Sequence, residues 1–349
     1  NDRVIVNGSF ITQSRHNHSE LLTKGILDIK GDFKQISVKG TPGVMSMSSN
    51  FVPSLIHKVV LSGEGLQRVS FENYGSSYFN ILEITNDSDE GVEFETKTVI
   101  KGEIIDTSSV LINSKNLCLA ETAQIKWDIW KNDLSFHDNM TFVKDLVIEG
   151  TLYLESGTIQ LNGHKLTVYG DVLQSGGTMD ISGGDLEIYG NYRMQSCLEM
   201  LNKMDYVFVE GNFELLLGKS INLKEGLIEI KGDFFQKGTS NYFSYHFYSS
   251  ENHKVLLSGD SLQVVSFESE KCKFNILELT NSSTEGVKFE SLLNANQFIP
   301  NDTAIEFYSG EIVGWQLSKD TIYEQDLYLA EGTLDLNGYS LTINGDLIQ

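Results

Sequence analysis

The feature that most restricts what this chain can fold into is a corner repeated every 20 or 21 residues. Gly, then Asp or Asn, then a bulky apolar residue occurs at Gly170-Asp171-Val172, Gly190-Asn191-Tyr192, Gly211-Asn212-Phe213 and Gly232-Asp233-Phe234. The signature also stands at Gly31-Asp32-Phe33 and Gly345-Asp346-Leu347, and at Gly8-Ser9-Phe10 with Ser in the second place. The residues four and two before each Gly are apolar: Leu166 and Val168, Leu186 and Ile188, Val207 and Val209, Ile228 and Ile230. The flanking copies keep this with Val4 and Val6, Leu27 and Ile29, and Leu341 and Ile343. Such alternation turns one face of a strand inward. A strand pattern recurring near 20 residues is the mark of a chain wound in stacked coils. Glycine permits close backbone approach at the bend, and Asp or Asn suits a turn because its short side chain bonds nearby backbone. The chain is expected to be all-β, a single-stranded parallel β-helix (β-solenoid) with one coil per period.

Length and composition agree. At about 20 residues per coil, 349 residues make roughly 17 coils, a rod on the order of 80 Å long. The repeats override the usual division of such a length into two or three domains, so residues 1–349 are read as one continuous solenoid. Proline, which cannot donate to a strand ladder, is confined to Pro42, Pro53 and Pro300. The net charge of −22 argues against a nucleic-acid partner, which needs a basic surface. It favours solubility and attraction of divalent cations. No apolar run reaches the length of a membrane span. Cys118, Cys197 and Cys272 are too few and too far apart for a disulfide framework or a zinc motif. No signal peptide is visible and the first residue is not Met, so the chain reads as a mature or excised segment.

A longer repeat is superimposed on the coils. Arg3–Phe10 matches Tyr206–Phe213, Gly25–Phe33 matches Gly226–Phe234, His57–Gly63 matches His253–Gly259, and Phe79–Asn86 matches Phe274–Asn281. Thr158–Gln174 matches Thr333–Gln349. Residues 3–205 form the first long unit and 206–349 an incomplete second one. The offset falls from 195 to 175 between the last two matches, a loss of one coil, so the second unit is expected to lack a whole rung between Phe289 and Thr333. Whole-coil deletion preserves stacking. Smaller length differences fall in polar or Gly-rich stretches read as side loops, the largest being Ser37–Val52. The natural protein is expected to continue with more of the same.

The stretch Lys58–Phe94 carries an apolar strand ending in Ser-Gly, then Gln67, then Phe79-Asn-Ile-Leu-Glu-Ile-Thr-Asn86, then Gly91-Val-Glu-Phe94, and the second copy repeats it. It resembles a repeat of large bacterial surface and secreted proteins. Thr333–Leu347 likewise resembles the coil repeats of filamentous-haemagglutinin-like β-helical adhesins. The resemblance implies a right-handed β-helix and an extracellular, cell-surface, adhesive or structural role without catalysis, in a stalk or fibre. Its partners would be further repeats of the same chain, other copies of itself, or glycans or a host surface. One alternative is a self-assembling filament stacked end to end; another is a carbohydrate-binding or carbohydrate-active β-helix.

Several residues invite a functional reading. Pectin-cleaving β-helices need clustered Asp with a Gly-His-Gly-type loop, or Ca²⁺-binding Asp with an Arg or Lys base; no Gly-His-Gly and no Asp-Asp pair occurs here, and no catalytic or cofactor residue is expected. Asn86–Gly91 resembles a short Ca²⁺ loop through Asp87, Asp89 and Glu90. Its counterpart Asn281–Gly286 lacks both aspartates, which favours a plain polar turn. His16 and His18 supply only two imidazoles on one strand face. Trp127 and Trp130 are candidate sugar-stacking residues, with core filling the competing role. Tyr242, Phe243, Tyr245, Phe247 and Tyr248 form either an exposed binding stripe or a folded side loop. The Gly-Asp-type corners and the Gln after them (Gln35, Gln174, Gln236, Gln349) are expected to form stacked polar ladders.

Overall fold

The computed structural model describes residues 2–16, 21–40, 47–106, 109–216, 222–238, 246–307, 311–317, 320–323 and 326–349. It is all-β, a parallel solenoid of about 15 turns. One 3-10 turn, Ser114–Asn116, is the helical element among the described residues, and there no helix is long and apolar enough to cross a membrane. The count falls below the expected 17 because side loops lengthen some turns. Register partners Ile29 and Leu61 are 32 residues apart and Ile230 and Leu257 27 apart, against 20 between Leu166 and Leu186.

The chain forms two compact units, Asn1–Met140 with Ile148–Gly157, and Thr141–Val147 with Thr158–Gln349. The boundary at 205 and 206 between the long sequence repeats lies inside the second. In the first unit, strands Arg3–Val6, Ile26–Ile29, Lys58–Leu61 and Phe79–Ile84 pair in parallel, one per turn. A second ladder joins Phe10–Thr12, Phe33–Gln35, Gln67–Phe71 and Val92–Phe94. In the second unit each early turn has three strands. One ladder runs through Lys165–Val168, Asp185–Ile188, Tyr206–Val209, Leu227–Ile230 and Lys254–Leu257. The next runs through Val172–Gln174, Tyr192–Met194, Phe213–Leu215 and Phe234–Gln236. The third runs through Thr158–Gln160, Thr178–Asp180 and Cys197–Met200.

Alternation decides what lies inside. Leu166, Val168, Leu186, Ile188, Val207, Val209, Ile228 and Ile230 are fully buried, as period-2 patterning requires. Each repeat also builds the same five-ring cluster. Phe33 packs on Phe10, Phe51, Phe71 and Phe79. Phe234 packs on the equivalent Phe213, Phe247, Phe267 and Phe274. Phe51 and Phe247 come from the supposed side loops, so the ends of those loops turn inward and complete the core. Asn50, also from the first loop, is buried and bonded to Gln35 (2.9 Å) and to the Ile36 carbonyl (2.7 Å).

The ladders take a different number of steps through corresponding stretches of the two long repeats. In the first unit Thr98 pairs with Leu117, Cys118 with Ser135, and Ser135 with Tyr153, three steps. In the second, Leu293 pairs with Ile312 and Ile312 with Leu329, two steps. Leu327, two residues before Leu329 on the same strand, stands 175 residues after Leu152.

Candidate functional site

Consecutive corners stand on one another, Gly170, Gly190, Gly211 and Gly232 in the second unit and Gly8 and Gly31 in the first. The Gly190 N–H donates to the Gly170 carbonyl (3.2 Å), Gly211 to Gly190 (3.0 Å) and Gly232 to Gly211 (3.2 Å); Gly31 donates to Gly8 (3.0 Å). A Cβ on Gly211 would stand 2.6 Å from the Gly190 oxygen, and one on Gly31 2.5 Å from the Gly8 carbonyl carbon. Glycine is therefore required by the turn beneath it. The Asx side chain reaches across turns, not back to its own backbone as the turn chemistry suggested. Asp171 Oδ1 accepts from the Asn191 N–H (2.7 Å), Asn191 from Asn212 (2.9 Å), Asn212 from Asp233 (2.8 Å) and Asp233 from Val264 (2.7 Å). The same bond joins Asp32 to Arg68 (2.8 Å) and Asp326 to Asp346 (2.8 Å). Gly345 and Asp346 close the last such corner.

The Gln after each corner forms no ladder. The column through Gln174 continues as Met194, Leu215 and Gln236, so no two glutamines meet on adjacent turns. Each buried amide binds loop backbone or a neighbouring side chain instead. Gln174 donates to the Cys197 carbonyl (2.8 Å) and accepts from the Tyr192 hydroxyl (2.7 Å); Gln236 donates to the Gly238 carbonyl (2.8 Å). The Gln of the Ser-Gly…Gln motif does more. Gln67 accepts from the Gly63 N–H (2.7 Å) and donates to the Ile29 and Gly31 carbonyls (3.0 and 2.8 Å), while Asn86 donates to it (3.1 Å). Gln263 repeats all four bonds with Gly259, Ile230, Gly232 and Asn281. The motif thus encodes a buried polar clamp between turns, with each donor and acceptor matched.

Asp87, Asp89 and Glu90 are exposed. Glu90 Oε2 accepts from the Leu66 N–H (3.0 Å), and the turn is closed by Asn86 Oδ1 bonding Ser88 N–H and hydroxyl (3.0 and 2.6 Å). Asn281 and Ser283 make the same bonds (2.8 and 2.7 Å). Among the described residues no three His, Cys, Asp or Glu side chains are placed to share a metal ion. His16 is exposed; His18, Tyr242, Phe243 and Tyr245 lie outside the described residues.

Trp130 is not available as a sugar platform. It is 2% exposed, donates Nε1–H to the Asp133 carbonyl (3.1 Å), and is flanked by half-buried Trp127, ring centroids 4.9 Å apart. The two-residue strand Ile129–Trp130 turns Ile129 outward and Trp130 into the coil. The sequence reading missed an outer aromatic stack: Tyr169 lies on Tyr189 (5.0 Å, 24°), which meets the edge of Phe208 (6.0 Å). Tyr before Gly at 169 and again at 189 is the signal for it. The stacked faces cover one another, so the stack reinforces the turns more than it offers open ring faces.

Burial keeps the inner histidines and cysteines neutral. His253 is fully buried with neither ring nitrogen hydrogen-bonded, and burial lowers its pKa to about 3. His57 is its counterpart, with Nδ1 unpartnered and the pKa lowered by burial. Burial raises the Cys118 and Cys272 thiols to about 12 and Cys197 to about 11, opposite to the shift of a reactive thiolate. Half-exposed Arg193 grips the buried Glu214 through two bonds (2.9 and 3.1 Å) and holds that carboxyl below its usual range.

No family model, curated protein or solved structure matches the chain.

Proposed function

We propose that this chain is a structural segment of an extracellular bacterial surface protein, a scaffold that holds adhesive parts away from the cell. The observation that supports this reading is the corner column. Neighbouring turns are tied by backbone pairing along the ladders, by the Asx acceptor at the corners and by a buried Gln clamp once in each long repeat. The resemblance of Lys58–Phe94 and Thr333–Leu347 to repeats of surface adhesins points the same way. A fold of stacked turns gains stability from each added neighbour, which suits exposure to proteases and shear.

Antibodies raised against the purified chain test it. They are expected to label intact, unpermeabilised cells of the source bacterium, and brief proteinase K treatment of those cells is expected to leave the epitope in place. Labelling only after permeabilisation would overturn the extracellular reading. Rapid loss of the epitope would overturn the scaffold reading.

A further inference from the structure

The two long repeats build the same backbone twice, so a surface on which they differ is one the fold does not dictate. At one edge of the first unit the Ser54 N–H donates to the Leu22 carbonyl (2.8 Å) and Ile56 to Thr23 (3.1 Å). In the second repeat Ser250 donates to Leu223 (2.9 Å) and Asn252 to Lys224 (2.8 Å). Leu55 and Glu251 share a φ of 54°. Asn80 and Asn275 each donate to that residue's carbonyl at 2.6 Å.

On this common frame the side chains part company. The first repeat carries Leu21, Leu55 and Ile56, exposed to 74%, 75% and 69%, and half-buried Tyr78 on the following turn. The second has Asn222, Glu251, Asn252 and Lys273 at those places. There the polar groups answer one another, Glu251 with Lys224 (3.2 Å) and Asn252 with Glu225 (2.7 Å). In the first repeat Lys24 is exposed where the second has Glu225, and Lys101 Nζ lies 4.0 Å from the Tyr78 ring centre. Left-handed backbone disfavours a bulky aliphatic residue, so the fold gains nothing from Leu at 55.

We propose that this edge of the first unit attaches reversibly to a phospholipid bilayer surface. Leu55 and Ile56 enter the acyl boundary, Tyr78 sits at headgroup level, and Lys24 and Lys101 meet headgroup phosphates. Size selects this occupant: four side chains fall far short of the roughly 800 Å² per partner that a stable protein interface buries, whereas shallow insertion has no such threshold. The aliphatic pair sits at a turn and is mostly exposed. Tyr and Lys are the residues that lipid interfaces favour. Exposed Lys24, with Asp2 beside it, and half-buried Lys101 bring positive charge to this edge of a chain of net charge −22, complementary to phosphate.

Flotation of the full chain with vesicles of mixed phosphatidylcholine and phosphatidylglycerol tests this. The parent chain is expected to float. Leu55→Glu with Ile56→Asn, which installs the second repeat's residues on a backbone that already accepts them, is expected to cut the bound fraction at least about tenfold with an unchanged unfolding midpoint. Glu251→Leu with Asn252→Ile is expected to raise it. The proposal falls if the parent chain stays with the unbound protein, or if the Leu55/Ile56 variant floats equally well. It also falls if sedimentation shows a dimer that the variant dissolves while neither protein floats, since the edge then joins two copies of the chain.

Discussion

Replacing Gly232 with Ala is expected to destabilise the second unit by about 3 kcal/mol, near the top of the usual range for overpacking. The new Cβ would lie 2.4 Å from the Gly211 oxygen, 2.5 Å from its carbonyl carbon and 2.6 Å from Asn212 Oδ1. Two of those atoms are backbone, so relief requires lifting one turn off the next. That movement stretches the Gly232 to Gly211 bond and the Asn212 to Asp233 bond together. Gly8→Ala is the internal control, because nothing lies within 4 Å of a Cβ there; its effect is expected within about 0.5 kcal/mol. Urea unfolding followed by circular dichroism measures both. Equal effects at the two positions would mean that corner contact is not what demands glycine.

Acid is expected to weaken the second repeat through His253. Its folded-state pKa of about 3 lies below the ordinary 6.5, with desolvation the cause. The unfolded chain therefore binds the proton first. The stability tied to the neutral ring is complete above pH 6.5 and is lost as pH falls from there toward 3. By linkage that amounts to about 2 kcal/mol at pH 5 and about 4 to 5 kcal/mol at pH 3. His57 shifts in the same direction and adds to the loss. Carboxylates titrate over the lower part of this range, so the measurement is a difference: the fall in unfolding free energy from pH 7 to pH 5 is expected to shrink by about 2 kcal/mol in His253→Leu. An unchanged fall would show that the imidazole is not buried uncharged.

Much of this architecture is legible in the residues. Gly-Asx corners with apolar residues two and four places before them give the coil and its period. The fall in repeat offset from 195 to 175 stands beside ladders of three steps from Thr98 to Tyr153 and two from Leu293 to Leu329. What the sequence hides is which neighbour each polar group chooses. An Asp beside a Gly bonds equally well within its own turn or to the turn above, and only stacking makes the second option available. Gln174 and Gln236 share a column, but Met194 and Leu215 between them prevent a ladder. Trp130 follows an exposed Ile129, and with so short a strand nothing in the local pattern says which of the two faces inward. The apolar edge at Leu55 and Ile56 shows only when the repeats are laid over each other, because each residue alone is an ordinary exposed aliphatic.

The central claim is that successive corners and strands stand one over another. Pulsed dipolar spectroscopy tests it directly, with spin labels at Leu173→Cys and Phe235→Cys in a chain without its native cysteines. Positions 173, 193, 214, 235 and 266 form one register column. The backbone at 173 and 235 should lie three turns apart, about 14 Å. Moving the second label to Ser266→Cys should lengthen a narrow distribution by about 5 Å, although the sequence separation grows from 62 to 93 residues. A broad distribution, or one that does not lengthen by a single turn spacing, would contradict the stacked-turn account.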